Sequence, residues 1–230
     1  MVCKLSDLVS ISSCWVPARL DLKLELDDEF PTADLGIVHK NDQSAIEIIA
    51  PNLKNGPWIA GGAVLAWYNG TPTQDRDIDV WCKSEKQLNV LNNKLNTIKG
   101  TDATCYISCF VTENAITYTC KQHSITKWKI QLIKKLAATP LEVINRFDFT
   151  VCQLVTDGSR ILCGENTLAH IKNKTLAKNT SNSTNSISRL IKYWSYGFEP
   201  EPTLLDFYIN NSDGINWEGN INNDAEYSNI

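Results

Sequence analysis

No apolar run in this 230-residue chain reaches membrane-spanning length. The opening stretch, MVCKLSDLVSISSCW, is broken by polar residues at short intervals and resembles neither a secretory signal nor a span. No CxxC pair occurs among the eight cysteines, at positions 3, 14, 82, 105, 109, 120, 152 and 163. Several of them sit inside apolar runs, so the expectation is reduced, mostly buried thiols in a cytoplasmic protein rather than a disulfide framework. Cys105 and Cys109 have the spacing of half a zinc site, but no second ligand pair follows. The three histidines, His39, His123 and His170, show no metal-ligand spacing. Basic residues are missing from the last 35 positions, 196–230, which carry seven acids.

What is present suffices for one sizeable core: 43% of the residues are hydrophobic. The formal charge of −4 conceals a segregation, with −5 over residues 1–119, +8 over 120–195 and −7 over 196–230. A polyanion would be drawn to the middle block. A solvated lysine-rich surface, partly neutralised by the acidic tail, explains the same numbers equally well.

The chain is organised around Pro57 to Cys82, PWIAGGAVLAWYNGTPTQDRDIDVWC. Asp77 and Asp79 are separated by Ile78 and followed by Val80, so a strand here places both acids on one face and both apolar side chains on the other. Two carboxylates on one face repel each other unless a cation lies between them, and hard oxygen donors of this kind suit magnesium or manganese. Upstream, Gly61-Gly62 leads into a helical pattern over Ala63 to Tyr68 that Asn69-Gly70 and Pro72 stop. Without Cβ atoms, such a turn lets backbone N–H groups approach a triphosphate closely. Asp75 is in phase with the acids but nearer the turn, and Trp58, Trp67 and Trp81 read as core residues.

Around this stretch the patterns predict a helix over Ser6 to Ile11, a strand from Leu20 and a helix over Gln43 to Ala50. A helix from Leu88 follows, then strands at 103–111 and 115–120, a strand from Trp128 to Ile133 and a helix over Pro140 to Asn145. Phe147 to Val155 alternates like a strand, with Asp148, Thr150, Cys152 and Leu154 on one face. A carboxylate in such an apolar strand is costly unless it meets a cation or a donor, which makes Asp148 the candidate third acid. Arg160 to Cys163 reads as a hairpin partner, and Glu165 to Lys178 as one or two short helices. A polar loop covers 177–186. The next helix has Ile187, Leu190, Ile191, Trp194 and Phe198 as its apolar stripe, with Arg189, Lys192 and Tyr196 off it, and a last helix spans Pro202 to Ile209.

IAGGAV at 59–64, NG at 69–70 and DRDID at 75–79 resemble the glycine pair, helix stop and Asp-x-Asp strand of the DNA polymerase beta-like nucleotidyltransferases. The similarity is most specific to the head of CCA-adding enzymes and bacterial poly(A) polymerases. NRFDFT at 145–150 and RLIKYWSYGF at 189–198 are similar to two later elements of that group. Leu65-Ala66 stands where the group has arginine-aspartate, and Arg146-Phe147 where it has paired arginines. The 32 residues after Phe198 are too few for the group's helical tRNA-holding domains, so a compact viral, phage or defence-related member is the better match.

The resemblance implies an α+β nucleotidyltransferase fold: a mixed central sheet flanked by helices, plus a small C-terminal helical segment. Residues 1–56 would be an extension packed on the core, 57–178 the core, and 186–230 the helical segment with its acidic tail. It implies an enzyme that moves NMP from an NTP to a hydroxyl, with RNA or tRNA as possible acceptor and Mg2+ or Mn2+ as cofactor. Asp77 and Asp79 would bridge two metal ions, and Asp148 would bind the metal nearest the nucleophile, help take the nucleophile's proton, or contact the ribose or base edge of the incoming nucleotide. Gly61 and Gly62 would hold phosphates, with Arg146, Arg189 and Lys192 as phosphate or acceptor contacts.

Overall fold

The computed structural model describes residues 31–36, 38–71, 73, 76–98, 106–122, 125–179 and 187–210. The helix expected at 6–11 and the strand from Leu20 lie outside them. Ten strands form among the described residues: β1 (Thr32–Asp34), β2 (Trp58–Ala60), β3 (Ile78–Trp81), β4 (Tyr106–Val111), β5 (Ala115–Gln122), β6 (Ile125–Ile133), β7 (Leu154–Thr156), β8 (Arg160–Cys163), β9 (Thr175–Leu176) and β10 (Glu199–Pro200). Seven helices accompany them: α1 (Lys40–Ile49), α2 (Gly62–Tyr68), α3 (Glu85–Ile98), α4 (Pro140–Asn145), α5 (Thr167–Asn173), α6 (Ile187–Ser195) and α7 (Pro202–Asn210).

Eight strands make one mixed sheet in the order β1-β8-β7-β2-β3-β6-β5-β4. Its one parallel pairing joins β3 to β6, with Ile78 opposite Ile130, Asp79 opposite Gln131 and Val80 opposite Leu132. The fold is therefore α+β with a mixed central sheet, flanking helices and a small C-terminal helical segment. The described part of residues 1–56 joins this core: β1 pairs with β8, and α1 packs against β6 and α3. A two-stranded parallel pair, β9 with β10, ties the C-terminal helices to it.

Local chemistry accounts for the elements that frame the site. Ile78 and Val80 are buried with Ile130 and Leu132 on one face of β3, and Asp79 and Trp81 on the other face are buried as well, so the strand is covered on both sides. Trp58, Trp67 and Trp81 are fully buried, as their apolar settings predict. The α2 helix stops at Gly70, whose φ of 65° is a conformation that glycine adopts without strain. A buried acid not anticipated from sequence, Asp42 on α1, accepts the Trp67 indole N–H at 2.9 Å and the Thr73 hydroxyl at 2.7 Å. It thereby ties α1 to α2 and to the loop that leads into the acid strand. In α4, the Thr139 side chain caps the Glu142 N–H at 3.2 Å and Glu142 accepts the Ala138 N–H at 2.8 Å, with Pro140 in the first turn.

Two expectations are corrected. Phe147 to Val155 is not a continuous strand: a bend at Asp148, a one-residue bridge from Phe149 to Lys178 and a 3-10 turn over Thr150–Cys152 precede β7. The Asn179 N–H to Asp148 carbonyl bond at 2.6 Å and the Thr150 N–H to Ala177 carbonyl bond at 3.0 Å make the bridge, and the strand ends where the Cys152 N–H turns back to the Phe149 carbonyl at 3.0 Å and the Gln153 N–H to that of Thr150 at 3.1 Å. On α6 the inward face is Leu190 and Tyr193, while Ile191 and Trp194 are 58% and 51% exposed. The helix is rotated away from its expected stripe because Arg189 turns inward. Of the one or two short helices expected over Glu165 to Lys178, one forms, α5, and the strand β9 follows it.

Candidate functional site

The site starts where β2 ends. Ala60 lies opposite Asp79 in the antiparallel β2–β3 register, so the next residue, Gly61, turns beside the Asp79 carboxylate. Gly61 has φ 75° and ψ −138°, a region essentially reserved for glycine, and its N–H donates to the Leu154 carbonyl at 3.0 Å. A Cβ there would fall 2.7 Å from the Phe147 ring and 3.5 Å from Asp79 Oδ2. The glycine is thus required so that backbone, ring and carboxylate can meet. Gly62 opens α2, its carbonyl accepts from Arg76 Nη1 at 3.0 Å, and the Tyr193 hydroxyl is 3.5 Å from where its Cβ would be.

Asp77 immediately precedes β3 and Asp79 lies within it, two residues on, so the pair shares one side of the strand. Asp79 is 6% exposed. Lys129 on β6 places its ammonium 2.8 Å from Asp77 Oδ1. This lysine was not singled out from sequence. The parallel register that sets Ile78 against Ile130 brings the residues before them, Asp77 and Lys129, level, and only the strand order reveals it.

Asp148 stands in the bend after α4. Its Oδ1 accepts from the Phe149 N–H at 2.9 Å and from Arg189 Nη2 at 2.9 Å, and its Oδ2 accepts from Arg189 Nε at 2.6 Å. Two of the selected residues are thereby brought together as a buried ion pair. Tyr208 on α7 packs nearby: its hydroxyl is pushed above the usual tyrosine range by burial, then by the Asp148 charge, with Arg189 opposing. Arg146 lies over the Trp81 ring at 5.3 Å, and burial lowers its guanidinium's pKa, with the Glu142 carboxylate opposing. The Trp81 and Phe147 rings meet edge-on at 6.4 Å. Lys192 is half-buried on α6, one turn beyond Arg189. Asn179, which sequence did not flag, fixes the bend by donating to the Phe147 and Asn145 carbonyls at 2.7 and 3.1 Å.

Among the described residues, no three His, Cys, Asp or Glu side chains gather as a metal-binding group. Asp77 and Asp79 offer two carboxylates, and magnesium is commonly held by one or two carboxylates with substrate phosphates and water completing its shell. Among the described residues, no helix is long and apolar enough to cross a membrane.

Solved structures share this fold at low identity. A tRNA-processing enzyme in an apo form matches 79% of this chain and 49% of its own, at 16% identity and TM-score 0.54. A Thermotoga maritima CCA-adding enzyme complexed with tRNA matches 75% and 43%, at 14% identity and TM-score 0.53. A CCA-adding enzyme in complex with CTP matches 75% and 44%, also at 14% and 0.53. The chain spans less than half the length of each, and the likeness shows that it shares their fold over that part. No curated protein matches the sequence. A family model described as "Gabija anti-defense 2 family protein" matches residues 36–174, more than half of the chain, and the protein therefore belongs to the Gabija anti-defense 2 family.

Proposed function

We propose that this protein is a nucleotidyltransferase that moves NMP from an NTP, ATP among them, to a hydroxyl acceptor and releases pyrophosphate. The 3′ end of an RNA, tRNA included, is the favoured acceptor, the cytoplasm is the setting, and the transfer would serve the anti-defense role that the family's description names. The observation that carries the reading is the apposition of the Asp79 carboxylate and the Gly61 backbone at the paired ends of β2 and β3, with Asp77 beside them.

In the reaction, the acceptor oxygen attacks the α-phosphorus, the new P–O bond forms as the α–β bridging bond breaks, pyrophosphate leaves with that bond's electron pair, and the hydroxyl proton passes to water. Asp77 and Asp79 would hold Mg2+ or Mn2+, which supplies a lowered hydroxyl pKa and neutralisation of the triphosphate. Gly61 and Gly62 would present backbone to the phosphates without side-chain obstruction. Asp148, with both oxygens on Arg189, suits the ribose- or base-contacting role better than that of a third metal ligand, since a metal there would have to displace a buried guanidinium. Arg146 and Lys192 remain proposed contacts to phosphate or acceptor.

A second reading, a catalytically silent nucleotide sensor or interaction module, draws on the Lys129–Asp77 and Arg189–Asp148 pairs, in which the chain's own cations neutralise two of the three acids. Incubation with each α-labelled NTP, either metal and total RNA, tRNA, protein or no acceptor separates the two. Label transfer with pyrophosphate release, abolished by Asp77→Ala and by Asp79→Ala in folded protein, supports the enzyme. Nucleotide binding without metal-dependent pyrophosphate release establishes the silent module.

A further inference from the structure

We propose that Arg76 is an anion-binding residue that grips the β- and γ-phosphates of the nucleotide, held in place for that task by Tyr196 and Gly62. The inference rests on the nucleotide-binding part of the reading above. Arg76 stands inside the DRDID run, one residue before Asp77, so chain continuity fixes it at the entrance to the acid strand. Its Nη1 donates to the Gly62 carbonyl at 3.0 Å, and its guanidinium carbon lies 4.3 Å from the centroid of the Tyr196 ring.

Among the described residues no carboxylate pairs with Arg76, although Asp77 pairs with Lys129 and Asp148 with Arg189. A half-buried cation without an acid is costly to keep unless something else meets it. A guanidinium carries five N–H donors, and the Gly62 carbonyl takes one. Contact with the Tyr196 face anchors the guanidinium, and an arginine fork so held can bind phosphate through two parallel hydrogen bonds. The acids next door repel a triphosphate, so a cation beside the glycine pair is what the site needs to accept one.

The positioning of Tyr196 is itself built. Its ring meets Tyr193 edge-on at 5.8 Å and 87°. Tyr193 is 2% exposed, packs edge-on against Phe149 and Phe198, and has Arg189 over its ring at 5.6 Å. A continuous line of contacts therefore runs from Asp148 through Arg189, Tyr193 and Tyr196 to Arg76 and Gly62. It gives α6 a role at the site although no α6 carboxylate or metal ligand reaches it: Tyr196 is a positioning residue for Arg76.

The test is the affinity of the full chain for each NTP, for the matching NMPs and for inorganic tripolyphosphate, by calorimetry, in wild type, Arg76→Ala, Arg76→Lys, Tyr196→Phe and Tyr196→Ala. Arg76→Ala is expected to lose about tenfold to a hundredfold in affinity for NTP and tripolyphosphate, with NMP affinity and thermal midpoint unchanged. Arg76→Lys should recover part of the loss, since it keeps the charge without the fork; Tyr196→Phe should match wild type, and Tyr196→Ala should fall between. Tripolyphosphate binding by Arg76→Ala as tight as by wild type would overturn the proposal, as would an equal loss for NMP or a wild type that binds no tripolyphosphate. Wild type that binds tripolyphosphate through Arg76 yet transfers no label keeps this inference and removes the transfer reading. Label transfer that Arg76→Ala leaves unaltered does the reverse.

Discussion

Arg189 grips both oxygens of Asp148, from 41 positions further along the chain, with Nε at 2.6 Å from Oδ2 and Nη2 at 2.9 Å from Oδ1. The two side chains are 12% and 6% exposed, so both charges have left water together. The pair fastens α6 to the bend that follows α4, and through Tyr193 it also sets the aromatic line that ends over Arg76.

Removing one member should be far worse than removing both. Arg189→Ala leaves a buried carboxylate without its cation and is expected to cost about 3–5 kcal/mol, and Asp148→Ala about the same. The double variant should cost clearly less than the sum, because no unpaired charge stays behind. Urea denaturation of the four proteins measures this. A loss below about 1 kcal/mol for Arg189→Ala would show that the pair opens to solvent and behaves as a surface bridge.

Lys129 is the residue whose replacement reports directly on the acids. Its ammonium, 2.8 Å from Asp77 Oδ1, occupies ground that a bound cation would share. Lys129→Met should lower stability in chelator, since two carboxylates on one face then repel, and should tighten Mn2+ binding by about tenfold, the scale of one close charge pair in a partly solvated site. Titration of Mn2+ by calorimetry or spin resonance decides it. Equal Mn2+ affinity in both proteins would mean that Lys129 and the metal do not compete and that the ion sits away from Asp77.

Legibility from sequence followed the range of the interactions that decide each element. The α4 helix appears at Pro140–Asn145 as expected because its start signals, Thr139, Pro140 and Glu142, are all within four residues of one another. The strand Arg160–Cys163 and the Gly61-Gly62 turn into α2 were legible for the same reason. Phe147 to Val155 misled because its alternation is real but its partners are distant: Asn179 and Ala177 take the backbone, His170 Nδ1 meets Thr150 Oγ1 at 2.7 Å, and Arg189 takes the carboxylate. The α6 stripe misled for a related reason. Arg189 counted as polar and outward, whereas its buried bond to Asp148 turns the helix and leaves Trp194 half exposed. Lys129 needed the strand order, but Arg76 was readable, since it sits within the motif that supplied the acids.

Two glycines with similar φ separate steric demand from backbone demand. At Gly61 an added Cβ would meet both a strained backbone region and the Phe147 ring at 2.7 Å, whereas at Gly197, φ 83°, nothing lies within 4 Å. Gly197→Ala should therefore cost only the backbone strain, about 1–2 kcal/mol, and Gly61→Ala that strain plus an overpacking term of about 1–3 kcal/mol. Thermal and urea unfolding give both numbers. Nucleotide affinity should fall for Gly61→Ala alone, because Phe147 or Asp79 has to move to admit the methyl group; equal stability losses at the two positions would contradict the contact between Gly61 and Phe147.

Alkaline destabilisation should carry the signature of Cys82, the residue that follows the acid strand. It is fully buried, and burial pushes its thiol from 9.0 up to about 12. The folded chain thus keeps a proton that the unfolded chain releases as pH passes 9.0. Between those values the unfolded state binds fewer protons, so this contribution is fully present below about pH 9 and is lost as pH rises toward the folded value, with a slope approaching about 1.4 kcal/mol per pH unit. Cys163, pushed up to about 11, adds a second, shorter-ranged loss of the same sign. Urea unfolding at about pH 8 and about pH 10.5 should show a smaller drop in Cys82→Ala than in wild type, by about 2 kcal/mol, because the alanine has no proton to lose. Equal drops in the two proteins would mean that the thiol ionises as readily folded as unfolded, and so that water reaches the end of β3 just beyond the acids.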